Sequence, residues 1–291
     1  MQIKLNMIED FSKYKFFYAN GSSFTEGGGL EEPEIRGDSF KPLYEKYYDV
    51  TWKNRTEVNW ANRLSQIINV KSINEAKSGG GMTRSIRMTY DFIQKNWKNK
   101  DKFFIILETP DSSRCDVYHK KTDEYFIVNT NPKTEKLAYA CRDYYNLKSL
   151  KEDENLQDLF NNWVDNHYDL KNEIIQSEKA LIGLYSFCKI NKIKIFLMND
   201  ISTIFSNVID KKDIIFFENR NYDDINSFCN RNKLTIIDEM NQFNIKVTDG
   251  HPGFFGHIEY AKKLSNYLGW KGNIPDFLNI SKSEKPKKFL I

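Results

Sequence analysis

Short apolar runs alternate with amphipathic segments along most of this chain, and that order limits the folds open to it. Five apolar residues follow one another at 103–107, and shorter apolar runs lie near 15–19, 70–73 and 193–198. Segments with helical periodicity separate these runs. Because strands joined by helices form parallel sheets that are buried on both faces, the pattern predicts an α/β protein. We expect a three-layer α/β/α fold with a mostly parallel central sheet.

The same pattern predicts the individual elements. Strands are expected near 15–19, 70–73 and 234–237, and at 103–107, 193–198 and 213–217. Helices are expected near 59–68 and 83–97, and at 177–190, 222–231 and 257–268.

One stretch, residues 111–175, does not follow the alternation. It is rich in Tyr, Asn, Asp and Lys, so we expect an insertion within a domain that spans residues 1–270. Such an insertion acts either as a lid that covers substrate or as a satellite packing unit. Residues 271–291 are charged and contain proline, and are expected to form a C-terminal tail.

A glycine-initiated turn follows the first predicted strand, where residues 20–29 read NGSSFTEGGG. Ligand sites of open α/β sheets form at the carboxyl ends of the strands, so a serine of this turn is a candidate nucleophile. A serine hydroxyl reacts poorly until a base removes its proton, which means that such a serine needs a partner. The same residue types also occur in plain polar turns.

Residues 249–252 near the C-terminus read Asp-Gly-His-Pro. Asp249 could accept a hydrogen bond from one ring nitrogen of His251, so that the other nitrogen takes a proton from a nucleophile. Asp-Gly is also a frequent turn pair, which leaves a structural role open. His257 follows and is expected to be structural, through capping or packing.

Three consecutive glycines, 79–81, lie between a predicted strand and a predicted helix. Glycines let the backbone approach a substrate and direct N–H groups at a developing negative charge. A phosphate-binding loop is disfavoured, because no Gly-Lys-Ser/Thr follows and the Gly-x-Gly-x-x-Gly spacing is missing. Arg84 and Arg87 share a helix face behind the glycines, where they bind either an anionic substrate or a surface carboxylate.

Together these segments resemble the SGNH/GDSL hydrolase superfamily. Residues 21–25, Gly-Ser-Ser-Phe-Thr, are similar to its Gly-Asp-Ser-Leu-Thr nucleophile block, with Ser22 where the family usually has Asp. The resemblance implies a flavodoxin-like α/β/α fold and a catalytic triad of Ser23, His251 and Asp249. It also implies an oxyanion hole that includes the N–H groups of Ser23 and Gly80.

The chain departs from the family pattern in two places. The last block is usually Asp-x-x-His, whereas one residue fewer separates Asp249 from His251 here. The family's third block supplies an Asn donor after a strand, whereas residues 108–114 read ETPDSSR. Thr109 is the expected substitute, with Ser113 and Arg114 as alternatives. Arg84 and Arg114 are the expected substrate-binding residues.

The resemblance implies a serine esterase that cleaves a carboxylic ester through an acyl-enzyme. An O-acetylated carbohydrate is favoured as substrate, because the 111–175 segment is polar and aromatic. Two alternatives stay open: an acyltransferase on the same fold, and a catalytically silent binding module.

Composition restricts the partners. The 291 residues carry 43 basic and 40 acidic side chains, a net charge of +3, so broad electrostatic binding to nucleic acid is not expected. No apolar stretch approaches the ~20 residues that span a bilayer, and no secretory signal is recognisable, so a cytoplasmic or otherwise soluble location without membrane insertion is expected. The four cysteines form no Cys-x-x-Cys pair. Neither a metal nor a cofactor is expected, and the expected partner is a small-molecule or glycan ester.

Overall fold

The computed structural model describes residues 8, 10–28, 30, 55–110, 113–131, 133–142, 154–198, 208–215, 225–242 and 250–277. Within these ranges the strands are β1 (Phe16–Asn20), β2 (Lys71–Asn74), β3 (Phe103–Glu108), β4 (Arg114–His119), β5 (Glu124–Asn131), β6 (Lys136–Arg142) and β7 (Lys194–Met198). The α-helices are α1 (Ser23–Glu26), α2 (Trp60–Ile68), α3 (Met82–Lys95), α4 (Glu154–His167), α5 (Leu170–Ile190), α6 (Ile225–Asn232), α7 (Ile236–Asn241) and α8 (Phe254–Leu268). None of these helices is long and apolar enough to cross a membrane.

The central sheet contains four parallel strands in the order β2-β1-β3-β7. Every residue of β3 is buried, and alternate side chains enter different layers. Phe104 and Ile106 belong to one core cluster with residues of α2 and α8. Ile105 and Leu107 belong to a second cluster with residues of α3 and α5. The predicted three-layer α/β/α architecture is therefore confirmed.

Helix α5 begins earlier than the sequence pattern indicated. The side chain of Asp169 accepts a hydrogen bond from the backbone N–H of Asn172 and so caps the first turn. The cap starts the helix at Leu170 instead of the predicted residue 177. The expected end of the insertion, residue 175, thus lies inside a helix of the main layers.

The strand predicted near 234–237 is wrong, because helix α7 occupies this region. The side chain of Thr235 accepts from the N–H of Asp238, and the Asp238 carboxylate accepts from the N–H of Thr235. This reciprocal capping box starts a helix. Ile236 and Ile237 favour strands locally, but the cap overrides their preference.

The strand predicted at 213–217 is represented by a single parallel bridge. Ile214 pairs with Leu197 of β7, and the N–H of Ile215 donates to the Leu197 carbonyl at 2.8 Å. Residues 216–224 lie outside the described ranges, as do residues 278–291 of the predicted tail.

Between β3 and α5, strands β4, β5 and β6 form a separate antiparallel sheet. Its apolar face packs on α4, with Phe126 and Phe160 in a core cluster of their own. An ion pair between Arg87 of α3 and Asp116 of β4 ties this sheet to the main layers. The second sheet is therefore anchored beside the glycine-rich loop that precedes α3.

Candidate active site

The turn after β1 carries Ser23 at the first position of α1. Gly21 has a φ of 158°, and a Cβ atom there would lie 2.4 Å from Oε2 of Glu108. Only glycine lets the backbone pass this close to the carboxylate. The side chain of Ser22 then caps α1 by accepting from the N–H of Phe24 at 3.3 Å.

Ser23 and His251 meet although 228 positions separate them in sequence. Ser23 Oγ lies 3.0 Å from His251 Nε2, and the Ser23 side chain is largely buried. This distance is a hydrogen bond between a hydroxyl and an imidazole. The structure therefore brings together the candidate nucleophile and the candidate base.

The loop that carries His251 is fastened to the segment that leads into α7. The N–H of Ile236 donates to the His251 carbonyl at 2.9 Å, and the N–H of Gly253 donates to the Leu234 carbonyl at 2.8 Å. On its other side, the ring of His251 lies 5.2 Å from the ring of Phe24. These contacts fix the imidazole in front of Ser23. Asp249, the expected acid, lies outside the described residues.

Gly28 keeps space open beside this pair. Its N–H donates to the Ser23 carbonyl at 2.6 Å. A Cβ atom at Gly28 would lie 2.9 Å from Ser23 Cβ and 3.3 Å from His251 Cδ2. A larger residue would therefore displace the serine side chain or the imidazole.

The glycine-rich loop lies next to the nucleophile turn. The N–H of Lys77 donates to the Gly21 carbonyl at 3.2 Å, and the N–H of Gly80 donates to the Lys77 carbonyl at 2.8 Å. The N–H of Thr109 donates to the Met198 carbonyl at 3.1 Å within the sheet. Gly80 and Thr109, two of the three expected oxyanion donors, thus use their amides in internal hydrogen bonds. Ser23 differs, because the amide of a first helical residue has no acceptor within its helix.

The two arginines expected to bind substrate occupy different settings. Arg84 is buried, and its Nη1 donates to the Glu75 carbonyl at 3.0 Å, so it supports the loop from within. Arg114 is half-buried at the start of β4. Its carbonyl lies against Gly81, where a Cβ atom would come within 1.8 Å of that oxygen. Arg114 therefore borders the loop, whereas Arg84 is part of its support.

Three buried glutamates hold the site, and sequence analysis missed all of them. Glu108, the last residue of β3, accepts hydrogen bonds from the nucleophile turn. Glu26, at the end of α1, accepts from the N–H of Ser78 in the glycine-rich loop and pairs with Arg55. Glu239 accepts from two amides at the start of α8. No local signal marks them, because each binds a segment that is distant in sequence.

His257 is fully buried. Its Nδ1 accepts from the N–H of Trp60, the first residue of α2, at 3.1 Å. Burial lowers the pKa of His257 to about 3, and the nearby Arg63 and His251 contribute to the shift. The ring is therefore neutral and caps α2. Within the described ranges, no group of three or more His, Cys, Asp or Glu residues could hold a metal ion.

Known proteins offer only a distant comparison. No family model matches the sequence, and no curated protein matches it. One similar structure is an acetyl xylan esterase from the rumen bacterium Butyrivibrio proteoclasticus, with 13% identity, a TM-score of 0.37, and coverage of 88% of this chain and 64% of that one. Another is a carbohydrate esterase whose active site has divergent catalytic and non-catalytic binding functions, with 11% identity, a TM-score of 0.37, and coverage of 90% and 66%. The chain spans just under two thirds of each, and a likeness at this level carries no argument about activity.

Proposed function

We propose that this chain is a serine esterase of the SGNH/GDSL type. The observation that carries the proposal is the 3.0 Å contact between Ser23 Oγ and His251 Nε2 at the carboxyl edge of a parallel sheet. A general base must lie within hydrogen-bond reach of the proton that it removes, and this imidazole does.

In the proposed reaction Ser23 attacks the ester carbonyl while His251 takes the hydroxyl proton. His251 then returns that proton to the departing alcohol, which leaves an acyl-enzyme. A water molecule then attacks the acyl-enzyme while His251 takes a proton from it. The carboxylic acid is released, and His251 returns the proton to Ser23. Asp249, two residues before the base, is assigned the role of orienting the imidazole.

The oxyanion of each tetrahedral intermediate needs N–H or O–H donors. We assign the Ser23 amide as the first donor. Gly80 can serve as the second once its amide leaves the Lys77 carbonyl, and this exchange is part of the proposal. For Thr109 the hydroxyl is assigned, because its amide belongs to the sheet.

We infer an O-acylated carbohydrate as the substrate class from a cleft between β4 and α4. The cleft has a volume of about 330 Å³, and Tyr118 and Trp163 line it together with His119, Asn162 and His167. Aromatic faces with a few polar groups are typical of sites for small polar ligands. Among the described residues that line the cleft, the two histidines are the only ones with an acidic or basic side chain, which favours a neutral sugar over an anion.

The cleft is connected to the catalytic edge by β4. This strand starts at Arg114, beside Gly81, and ends at His119 in the cleft. At about 3.3 Å per residue the strand covers about 17 Å. An oligosaccharide of a few units that lies along β4 would reach both places.

The activity is tested with a fluorophosphonate probe and short-chain aryl esters. We expect labelling of the wild type at Ser23, and a loss of about 10³-fold or more in kcat for Ser23→Ala and for His251→Ala. Ser12→Ala, a change outside the site, should leave both readouts unchanged. Folded wild-type protein that is neither labelled nor active on any of these esters would contradict the proposal. Acylated sugar in place of free acid, when a sugar acceptor is added, would identify a transferase.

The substrate class is tested by comparing an acetylated oligosaccharide with an aryl acetate. We expect Trp163→Ala and Tyr118→Ala to raise KM for the oligosaccharide by about tenfold, or about 1.4 kcal/mol of binding, and to leave the aryl ester unaffected. Trp97→Ala, which removes another exposed aromatic side chain, is the control. Equal effects on the two substrates would rule out a sugar subsite in the cleft.

A further inference from the structure

Glu108 is a buried carboxylate that receives its hydrogen bonds from the nucleophile turn. It is the last residue of β3, and its side chain is 3% exposed. Its Oε2 accepts from the N–H of Ser22 at 3.2 Å and from the hydroxyl of Thr25 at 2.5 Å. Its Oε1 accepts from the hydroxyl of Ser22 at 2.5 Å. All three groups are donors, and two are short hydroxyl contacts, which is the environment of an ionised carboxylate.

The backbone is built around this carboxylate. In the parallel register of β1 and β3, Asn20 lies opposite Leu107, so the next residues, Gly21 and Glu108, are neighbours at the carboxyl edge. Gly21 then passes so close to the carboxylate that no side chain fits there. The shape of the turn and the position of Glu108 are therefore matched.

Two hydrogen bonds and one ring contact lead from Glu108 to the reacting pair. The Ser22 hydroxyl donates a hydrogen bond to Glu108. The Ser22 oxygen is therefore able to accept a hydrogen bond from the N–H of Phe24. This arrangement fixes the first turn of α1, where Ser23 lies. The ring of Phe24 in turn contacts the ring of His251.

We propose that Glu108 is the positioning residue of the nucleophile: from β3 it supplies the carboxylate that aligns Ser23 with His251. The inference rests on the proposed esterase function. In the superfamily that the chain resembles, an acidic residue usually occupies the place of Ser22. Here the carboxylate comes from a residue 86 positions later, and Ser22 has become its donor.

A double-mutant cycle tests this role. Glu108→Gln retains the size of the side chain but removes its charge, so we expect kcat for an aryl ester to fall by about 10- to 100-fold with little change in KM. Ser22→Asp adds a second buried carboxylate beside Glu108, and like charges this close should lower kcat at least as much. The double variant Ser22→Asp/Glu108→Gln places a carboxylate at position 22 beside an amide at position 108, so that the pair again has one carboxylate and one donor. We expect it to recover at least about tenfold in kcat over either single variant.

The matched control is Asp213→Asn. Asp213 is also a buried carboxylate, and it accepts a hydrogen bond from the hydroxyl of Tyr185. It pairs with Lys194 at the start of β7, which is the amino edge of the sheet, whereas Glu108 lies at the carboxyl edge. We expect this variant to lose thermal stability while kcat and the rate of fluorophosphonate labelling stay unchanged. In Glu108→Gln the labelling rate should fall together with kcat.

Three different results would overturn the inference. If Glu108→Gln loses stability as Asp213→Asn does but retains wild-type kcat, Glu108 is only structural and the esterase function stands. If the wild type has no ester activity and no labelling, the proposed function and the positioning role fail together. A double variant that is no more active than the single variants would also contradict the role.

Discussion

A buried polar side chain has to find its partners within the fold, and in this chain such partners join distant segments. Glu26 joins α1 to the glycine-rich loop, Glu108 joins the nucleophile turn to β3, and Glu239 joins α7 to α8. Each carboxylate accepts at least two donors, as buried charges require. The geometry of Ser23 and His251 therefore depends on residues that take no part in the proposed chemistry.

His257 provides a test at the scale of one residue. In the folded chain its pKa is lowered to about 3, mainly by burial, against an ordinary value of 6.5. Between these values the unfolded chain binds a proton that the folded chain does not. The stability that depends on the neutral ring is therefore complete above about pH 6.5 and is lost as the pH falls towards 3.

We expect His257→Asn to weaken this pH dependence. The Asn oxygen can still accept from the N–H of Trp60, but it does not titrate. Between pH 7 and pH 5 the wild type should lose about 2 kcal/mol more unfolding free energy than the variant. Urea denaturation at both pH values measures the difference, with exposed His167→Asn as control. An equal loss in wild type and His257→Asn would contradict a neutral His257.

Local sequence patterns were sufficient for part of the site. Ser23 follows a strand in a glycine turn, and His251 lies in an Asp-Gly-His-Pro loop, so both could be predicted from a few neighbouring residues. The three glutamates could not be predicted in this way. The partner of Glu108 lies 86 positions away, that of Glu26 lies 52 positions away and that of Glu239 lies 16 positions away. A glutamate has the same local signature on a surface as in a buried network.

At the scale of elements, α7 shows how a short helix serves a longer one. The helix α8 begins after Gly253, which has no side chain to cap it. Glu239 of α7 supplies the missing acceptor, because Oε1 binds the N–H groups of Phe255 and Gly256 at 3.0 and 3.3 Å. A carboxylate at this end also complements the helix dipole. Gly253 is required for this approach, since a Cβ atom would lie 2.2 Å from the carboxyl carbon.

We expect Glu239→Gln to destabilise the protein by about 1–2 kcal/mol, since a neutral amide accepts more weakly and loses the interaction with the dipole. Glu259→Gln on the outer part of α8 removes only a surface pair with Lys262 and should cost less than about 0.5 kcal/mol. Urea unfolding at neutral pH compares the two. Equal stabilities of both variants would show that Glu239 does not cap α8.

The elements also show where sequence patterns are reliable. The five apolar residues at 103–107 predicted a strand, because a strand covered on both faces is apolar at successive positions, and β3 is such a strand. The same reasoning failed for residues 234–237, where two isoleucines favoured a strand. The capping box that starts α7 was visible in the sequence as Thr235 and Asp238, and this signal correctly predicts a helix in place of a strand.

At the scale of the molecule, the second sheet is attached near the edge of the central sheet that carries Ser23. Arg87 of α3 binds both carboxylate oxygens of Asp116 and lies 3.8 Å from the centre of the Tyr125 ring. The N–H of Asp116 donates to the hydroxyl of Thr83 at 3.0 Å. These contacts couple β4, and with it the cleft proposed to bind sugar, to the helix that follows the glycine-rich loop.

We expect Arg87→Lys to loosen this attachment, because lysine can neither form the two-pronged contact nor stack as a plane on Tyr125. Amide hydrogen exchange in β4 and β5 should become about tenfold faster, which corresponds to about 1.4 kcal/mol. Exchange in β1 and β3 should not change. Arg231→Lys, at an exposed position on α6, is the control. Uniform acceleration in both sheets would mean that the contact stabilises the whole fold instead.

The 228 positions between Ser23 and His251 have a consequence for biosynthesis. During translation Ser23 leaves the ribosome 228 residues before His251. A product that terminates before residue 251 contains the serine turn but no imidazole to pair with it. Any activity that depends on this pair therefore begins only after synthesis has passed residue 251, and the esterase activity proposed for this chain would be absent from shorter products.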